Sequence, residues 1–378
     1  MKNSQRILRI LISNVVVVSV LSFTSCGGKP QKLGSATVQF SENIRVKTRN
    51  QANGLWLSTT NYQNGGKLFR LDLKSDSKSK EILVTGNDVR LLTDGNDGIF
   101  MLTRQTKDSL SRLKGQDGQI EKRIELPEGS NPQYATRDSL GRVWVSSFES
   151  NTVDVFSADL SQRVGGIDLG TLKDPSDSSA ELSQILWLSG GRMAVVAQRL
   201  ARGRVWAPEP QSGLAIIDIR SLALEFTMPI DVPNPIAAKS EKDQVLVIGS
   251  GDLSQTKDLK AREARYSLVS AQANELRDLP GIVIDVSFGS FEDSTTALTW
   301  YPAENKSCIA VEDRQILCES TPAQCQGYTF SKVHRIGDVV FASYVACGNA
   351  ELWAIPVDGS AIEKHAFEMR IESMTHGP

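Results

Sequence analysis

Cysteine is the residue type in this 378-residue chain whose spacing says most about chemistry. Four of the five cysteines, Cys308, Cys318, Cys325 and Cys347, fall in the last quarter. An even, clustered set points to two disulfides made in an oxidising compartment. Cys308 and Cys318 are symmetric about Asp313 in the polar turn Glu312-Asp313-Arg314. They are therefore expected to face each other across an antiparallel pair. Cys325 and Cys347 are symmetric about Ile336, beside Gly337-Asp338, and a second hairpin would set them opposite unless a bulge shifts the register. Zinc is disfavoured, because no Cys-x-x-Cys and no close Cys/His pair occurs.

Acid–base chemistry has little to draw on. Of three histidines, His334 precedes a turn and reads as a surface residue, His365 sits in an alternating strand beside Lys364, and His376 lies in the terminal Met-Thr-His-Gly-Pro. No His-x-x-x-His, Gly-x-Ser-x-Gly, P-loop or dinucleotide fingerprint appears. Asp94-Gly95-Asn96-Asp97-Gly98 has a calcium-loop composition without the twelve-residue spacing or the final Glu, and reads as a hairpin turn. No catalytic residue, metal ligand or cofactor is assigned. The one cluster suited to recognition is Arg199, Arg202 and Arg204 beside Trp206, in a connection of about fourteen residues where a hairpin needs only a few. Arg and Trp dominate binding hot spots, so these four are the interaction candidates. The competing reading packs Trp206 onto its own unit and pairs the arginines with nearby acids. A second long connection, Gly251 to Glu263, has the mixed charge of a solvated short helix.

The N-terminus supplies an address. Residues 1–9 carry only positive charge, and residues 10–21 form an apolar run broken by Ser13, Asn14 and Ser19. That is too short for a spanning helix, which needs roughly 20 residues, and fits a signal-peptide core. The following Leu21-Ser22-Phe23-Thr24-Ser25-Cys26-Gly27 resembles the lipobox of bacterial lipoproteins, with Phe23 where that family usually has Leu. The resemblance implies cleavage after Ser25, acylation of Cys26, and, since Gly27 is not Asp, the outer membrane. An ordinary signal peptide with a free Cys26 is the alternative. Residues 1–25 then form the signal peptide, 26–35 a lipidated tether, and 36–378 the folded domain.

Charge narrows the partners. Removing residues 1–25 takes away Lys2, Arg6 and Arg9 and no acid, which leaves 39 Lys+Arg against 44 Asp+Glu. A mildly acidic body argues against nucleic acid or anionic lipid as the main partner. The expected associations are with the membrane through the lipid anchor and with another envelope protein; the oligomeric state is open.

The elements that position these residues are strands. From about residue 36, short β-rich runs alternate with Gly/Asp/Asn/Ser turns, without sustained helical periodicity. Apolar strand centres recur at Trp56, Phe100, Trp144, Val195, Val247, Leu298 and Phe341, in steps of 44, 44, 51, 52, 51 and 43 residues. Seven units with room for four strands each predict an all-β, seven-bladed β-propeller of four-stranded antiparallel blades. One such sheet cannot bury both faces, whereas a ring of them stacks each on its neighbours. Asn131-Pro132-Gln133-Tyr134, Gly141-Arg142-Val143-Trp144-Val145-Ser146 and Asn151-Thr152-Val153-Asp154-Val155 resemble NHL and YVTN (surface-layer-like) propeller repeats. That resemblance implies the fold and says little about activity. The last unit reads as complete from Tyr328 to Phe367, and Ala36–Phe40 is expected to add to it as a strand and latch the ring.

These expectations converge on an acyl-anchored envelope protein whose propeller is a protein- or polymer-binding scaffold. The alternative is an extracytoplasmic hydrolase or lyase of the propeller lactonase type, with a divalent metal in the channel. A redox-cofactor propeller is weakened by the lack of Cys-x-x-Cys-His.

Overall fold

The structure, a computed structural model, describes residues 38–377 apart from 49–51, 61–64, 76–78, 87, 95–97, 105–106, 175–176, 202–206, 254–257, 271, 289–293 and 326. The proposed signal peptide, Cys26 and the tether therefore lie outside the described residues. Within them the chain forms seven four-stranded antiparallel sheets. Every strand centre found from spacing sits in the second strand of its sheet: Gly54–Thr60, Gly98–Arg104, Val143–Ser147, Arg192–Ala197, Gln244–Gly249, Thr295–Tyr301 and Val339–Tyr344. The innermost strands of blades 2 to 7 are Asp88–Thr93, Pro132–Arg137, Leu182–Leu188, Pro235–Glu241, Ile282–Phe288 and Phe330–Ile336, and Arg370–Gly377 is that of blade 1. Each inner strand neighbours the next around the whole circle, including the last to the first. The protein is a seven-bladed β-propeller.

The core is divided among the seams between blades. Seven apolar clusters occur, one per seam; Trp56, Leu68, Val89 and Ile99 fill the seam of blades 1 and 2, and Trp144, Val153, Ile185 and Val195 that of blades 3 and 4. A second strand is covered on both faces, which is why it reads as a continuous apolar run. Burying one such side chain contributes about 1.5–3 kcal/mol. The inner strands are stitched to one another by side chains. Ser373 Oγ accepts from Leu91 N at 3.0 Å, Asp285 Oδ2 from Val333 N at 2.9 Å, and Ser287 Oγ from Arg335 N at 3.0 Å. These bonds satisfy backbone donors that a bare inner edge would leave unpaired.

The ring closes differently from the expectation. Arg370–Gly377 pairs antiparallel with Gly54–Thr60, from Thr60 opposite Arg370 to Gly54 opposite Gly377. The C-terminal strand is thus the inner strand of blade 1, while blade 7 is complete with its own four strands. Of the segment expected to latch the ring, the described residues Val38–Phe40 form no strand. Phe40 instead packs edge-on against Phe341, ring centroids 5.4 Å apart, in the seam between blades 7 and 1. A short helix, α1 (Glu42–Thr48), follows; Lys47 pairs with Asp358, and Ser41 N donates to Glu363 at 3.2 Å.

Both disulfides form. Cys308 and Cys318 are directly opposite on the third and outer strands of blade 6, as expected, although the turn places Val311 opposite Arg314 and a bulge between Ile309 and Ala310 restores the pairing. Cys325 and Cys347 are bridged, but not as hairpin partners. Their strands pair only between Phe330 and Tyr344, with a register shift at Phe330/Lys332, so this bridge ties two loops beyond the strand ends.

Candidate functional site

The seven inner strands surround an axial cavity of about 330 Å³. Its wall is two-sided. Blades 4 and 5 offer small or neutral groups, Ser183, Gln184, Ala237 and Ala238, and that small size leaves the space open. Blades 6, 7, 1, 2 and 3 carry the charged and aromatic ones.

The most elaborate cluster joins blades 1, 2 and 3. Arg104, at the end of the second strand of blade 2, stands across from Asp88 and donates through Nε at 3.0 Å and through Nη2 to the same carboxylate. Its Nη2 also lies 4.0 Å from Glu372, and its Nη1 donates to Gln133 Oε1 at 3.1 Å. Burial raises the Asp88 carboxyl above the ordinary carboxylate range, Glu372 adds to this, and Arg104 opposes it. The one guanidinium thus holds two carboxylates that repel each other.

Across the cavity, Asp285 of blade 6 lies 4.0 Å from Lys332 Nζ of blade 7. Burial raises the Asp285 carboxyl, against the pull of Lys332 and of its bond from Val333 N. Next along the wall, His334 Nε2 and His376 Nδ1 are 3.2 Å apart, a hydrogen bond in which one imidazole donates. Burial, and then His376, pushes His334 down to about 3; burial also lowers His376. The pair is neutral at ordinary pH.

Arg90 of blade 2 stands apart from these. Its guanidinium lies over the Tyr134 ring of blade 3, 5.8 Å from the centroid. Burial, and then the Arg104 charge, works against its positive charge, while Asp285 and Asp88 favour it from a distance. Among the described residues no carboxylate comes within 4 Å of Arg90.

His334, expected on the surface, and His376, expected in a terminal tail, both belong to the cavity wall. Arg90, Tyr134, Asp285 and Lys332, which no sequence motif marks, line it as well. A signal existed: Arg90, Tyr134 and Ala237 each lie ten residues before a strand centre, Phe100, Trp144 and Val247.

The arginine-rich connection joins the second and third strands of blade 4. Its base is a two-residue ladder, Leu200 opposite Pro208 and Ala201 opposite Ala207. Arg199 is half-buried, has φ 55° and reaches Asp174 at 3.8 Å, so this arginine is paired with an acid. Arg202, Arg204 and Trp206 lie outside the described residues. The second long connection occupies the equivalent place in blade 5. Its described residues, 251–253 and 258–261, are not helical, and the middle of the expected short helix, residues 254–257, lies outside the described residues. Asp252 N instead donates to Leu259 O at 2.9 Å across its neck.

Two adjacent blades thus carry enlarged connections on one face, that of the inner-strand starts, as the bond from Gln198 Nε2 to Pro235 O (2.9 Å) shows. The helix α1 sits on the opposite face, where Asp338 N donates to Lys47 O at the turn between the first two strands of blade 7.

Among the described residues no group of three His, Cys, Asp or Glu is arranged to hold a metal ion. The protein is defined by a seven-bladed propeller with a polar axial cavity and one loop-rich face. No protein-family model and no curated protein matches the chain. Among solved structures it is similar to virginiamycin B lyase from Staphylococcus aureus, a catalytically inactive variant with quinupristin (14% identity, TM-score 0.51, covering 82% of this chain and 94% of that one). It is also similar to the dihydro-heme d1 dehydrogenase NirN (8%, TM-score 0.53, 91% and 77%). A third is apo AztD from Citrobacter koseri (7%, TM-score 0.51, 87% and 99%). At these identities the likeness is one of fold, and function has to be argued from the site.

Proposed function

We propose that this protein is an envelope lipoprotein, anchored through acyl chains on Cys26, whose NHL/YVTN-type propeller binds another envelope protein on its loop-rich face. The observation that carries the reading is the placement of the enlarged connections of blades 4 and 5, side by side and on the face opposite α1. In the sequence the tether precedes α1, so the anchor would enter the domain from the face opposite the enlarged connections, which leaves these open to a partner. Two disulfides support an extracytoplasmic setting, and no helix among the described residues is long and apolar enough to cross a membrane. The test is in-cell cross-linking of the full-length protein, with residues 199–210 replaced by a short Gly/Ser turn in a parallel strain. Capture of one specific envelope protein, lost in the replacement strain, supports the proposal. Capture of nothing, or capture unaffected by the replacement, overturns it, and recovery of glycan instead transfers the reading to a polymer.

The second reading, a metal-dependent hydrolase or lyase, draws on the neutral His334–His376 pair and Asp285 in one cavity. Against it, the two carboxylates that line the cavity, Asp285 and Glu372, face Lys332 and Arg104, which compete with a metal for the same oxygens. Stoichiometric metal retained by the purified protein and lost in His334→Ala would favour this reading.

A further inference from the structure

The axial cavity is distinct from the loop-rich face, and its charges are unevenly satisfied. Asp88 and Glu372 share Arg104, Asp285 answers Lys332, and the two histidines bond to each other. Arg90 alone among the cavity's cations has no carboxylate within 4 Å among the described residues. Its contact is the face of Tyr134, which orients a guanidinium without neutralising it. Arg90 is half-buried and open to the cavity, and its guanidinium presents a fork of donors matched to carboxylate or phosphate oxygens. The opposite wall, with Ala237 and Ala238, is small and uncharged, so a molecule held at Arg90 has room for an apolar body. A cavity of about 330 Å³ is at the lower end of the range for small-molecule sites.

We propose that the axial cavity binds a small organic anion, whose carboxylate or phosphate group is taken by Arg90 with Tyr134 as its platform and whose body lies against Ala237. This site stands whether or not the loop-rich face binds a protein.

The test is calorimetric titration of the full chain in detergent with two probes, benzoate and inorganic phosphate. Saturable binding of one equivalent is expected, and whichever probe binds more tightly identifies the anion class. Arg90→Met, which keeps the stem and removes the charge, is expected to weaken binding by about tenfold or more, equivalent to about 1.4 kcal/mol. Arg90→Lys should retain part of the affinity, whereas Arg163→Met, a change at an exposed outer-strand arginine, should retain all of it. Ala237→Leu leaves Arg90 in place and fills the cavity, so it should abolish binding of benzoate. Failure of both anions to bind the native chain overturns the proposal. So does equal affinity in Arg90→Met or, should that variant not fold, unchanged benzoate binding in Ala237→Leu.

Discussion

His376, in the closing strand Arg370–Gly377, is hydrogen-bonded to His334 at 3.2 Å across the seam where the ring closes. One imidazole belongs to the strand that completes blade 1, the other to the inner strand of blade 7. The bond exists only when the ends of the chain have met, and it requires at least one neutral ring.

That requirement gives the protein a defined response to acid. In the unfolded chain both imidazoles take up a proton near 6.5. In the folded protein burial holds both below that, His334 at about 3. The folded state therefore binds fewer protons than the unfolded one, and stability falls as pH drops from about 6.5 toward 3. Asp88 and Asp285 act in the opposite sense, because their raised carboxyls favour the folded state as they protonate. The difference is isolated by His334→Gln with His376→Gln. Between pH 7 and pH 5 the variant should lose less stability in urea unfolding than the native protein, by an amount of the order of 1 kcal/mol from His334, with His376 acting in the same direction. Equal losses would mean that the seam does not titrate.

Closure by the C-terminal strand makes a second prediction. Removing residues 370–378 strips the inner neighbour from Gly54–Thr60, a strand buried along its whole length. An open edge of that kind pairs with other chains. The truncated protein should lose its cooperative transition and elute as aggregate. Phe40→Ala should leave a folded monomer, destabilised by about 3 kcal/mol, since Phe40 fills a seam and pairs with no strand. The reverse outcome would return the latch to the N-terminal segment.

The contrast between those segments shows what was legible in the sequence. Second strands are covered on both faces, so Trp56 through Phe341 stood out at regular spacing and fixed the blade number. The closing strand, Arg370-Ile371-Glu372-Ser373-Met374-Thr375-His376-Gly377, faces a polar axis and has no apolar run to be seen. Arg90, Asp285 and Lys332 were hidden for the same reason, compounded by their coming from different blades. Cys308–Cys318 was readable because its two strands are consecutive and the register is local. Cys325–Cys347 was only half readable, because loops beyond the strand ends obey no register.

Asp138 offers a test of how each blade holds its first turn. Its Oδ2 accepts from Trp144 Nε1 and from Arg142 Nε, both at 2.8 Å, and its Oδ1 from the backbone of Leu140 and Arg142. Asp138→Ala leaves a buried indole N–H without an acceptor and opens the turn, which should cost about 2–3 kcal/mol. Asp138→Asn, which keeps one acceptor oxygen, should cost less. Asp94, 44 residues earlier, repeats the arrangement: its backbone and carboxylate bond Gly98, and Arg112 donates to it at 2.7 Å. Asp94→Ala should therefore show a comparable loss, and a negligible effect at both positions would deny the turn aspartates a structural role.

The disulfides differ in what they constrain. Cys308–Cys318 closes a loop with a sequence separation of 10 between strands already paired by hydrogen bonds; Cys325–Cys347, with a separation of 22, ties the approach to blade 7 to the turn after its second strand. Chain-entropy reasoning assigns about 3 kcal/mol to the shorter loop and roughly half a kcal/mol more to the longer. Residual hairpin structure in the unfolded chain would shrink the first value, since Cys308 and Cys318 stay close without a bond. Replacing Cys325 and Cys347 by alanine should therefore lower the urea midpoint more than replacing Cys308 and Cys318. The first pair of changes should also accelerate proteolysis within residues 321–350, because it frees the loops that border the closing blade. An equal loss in both variants would mean that neither loop length nor residual hairpin structure in the unfolded chain separates the two bridges. A larger loss for Cys308–Cys318 would show that blade 6, rather than the seam beside blade 7, is the weaker part of the ring.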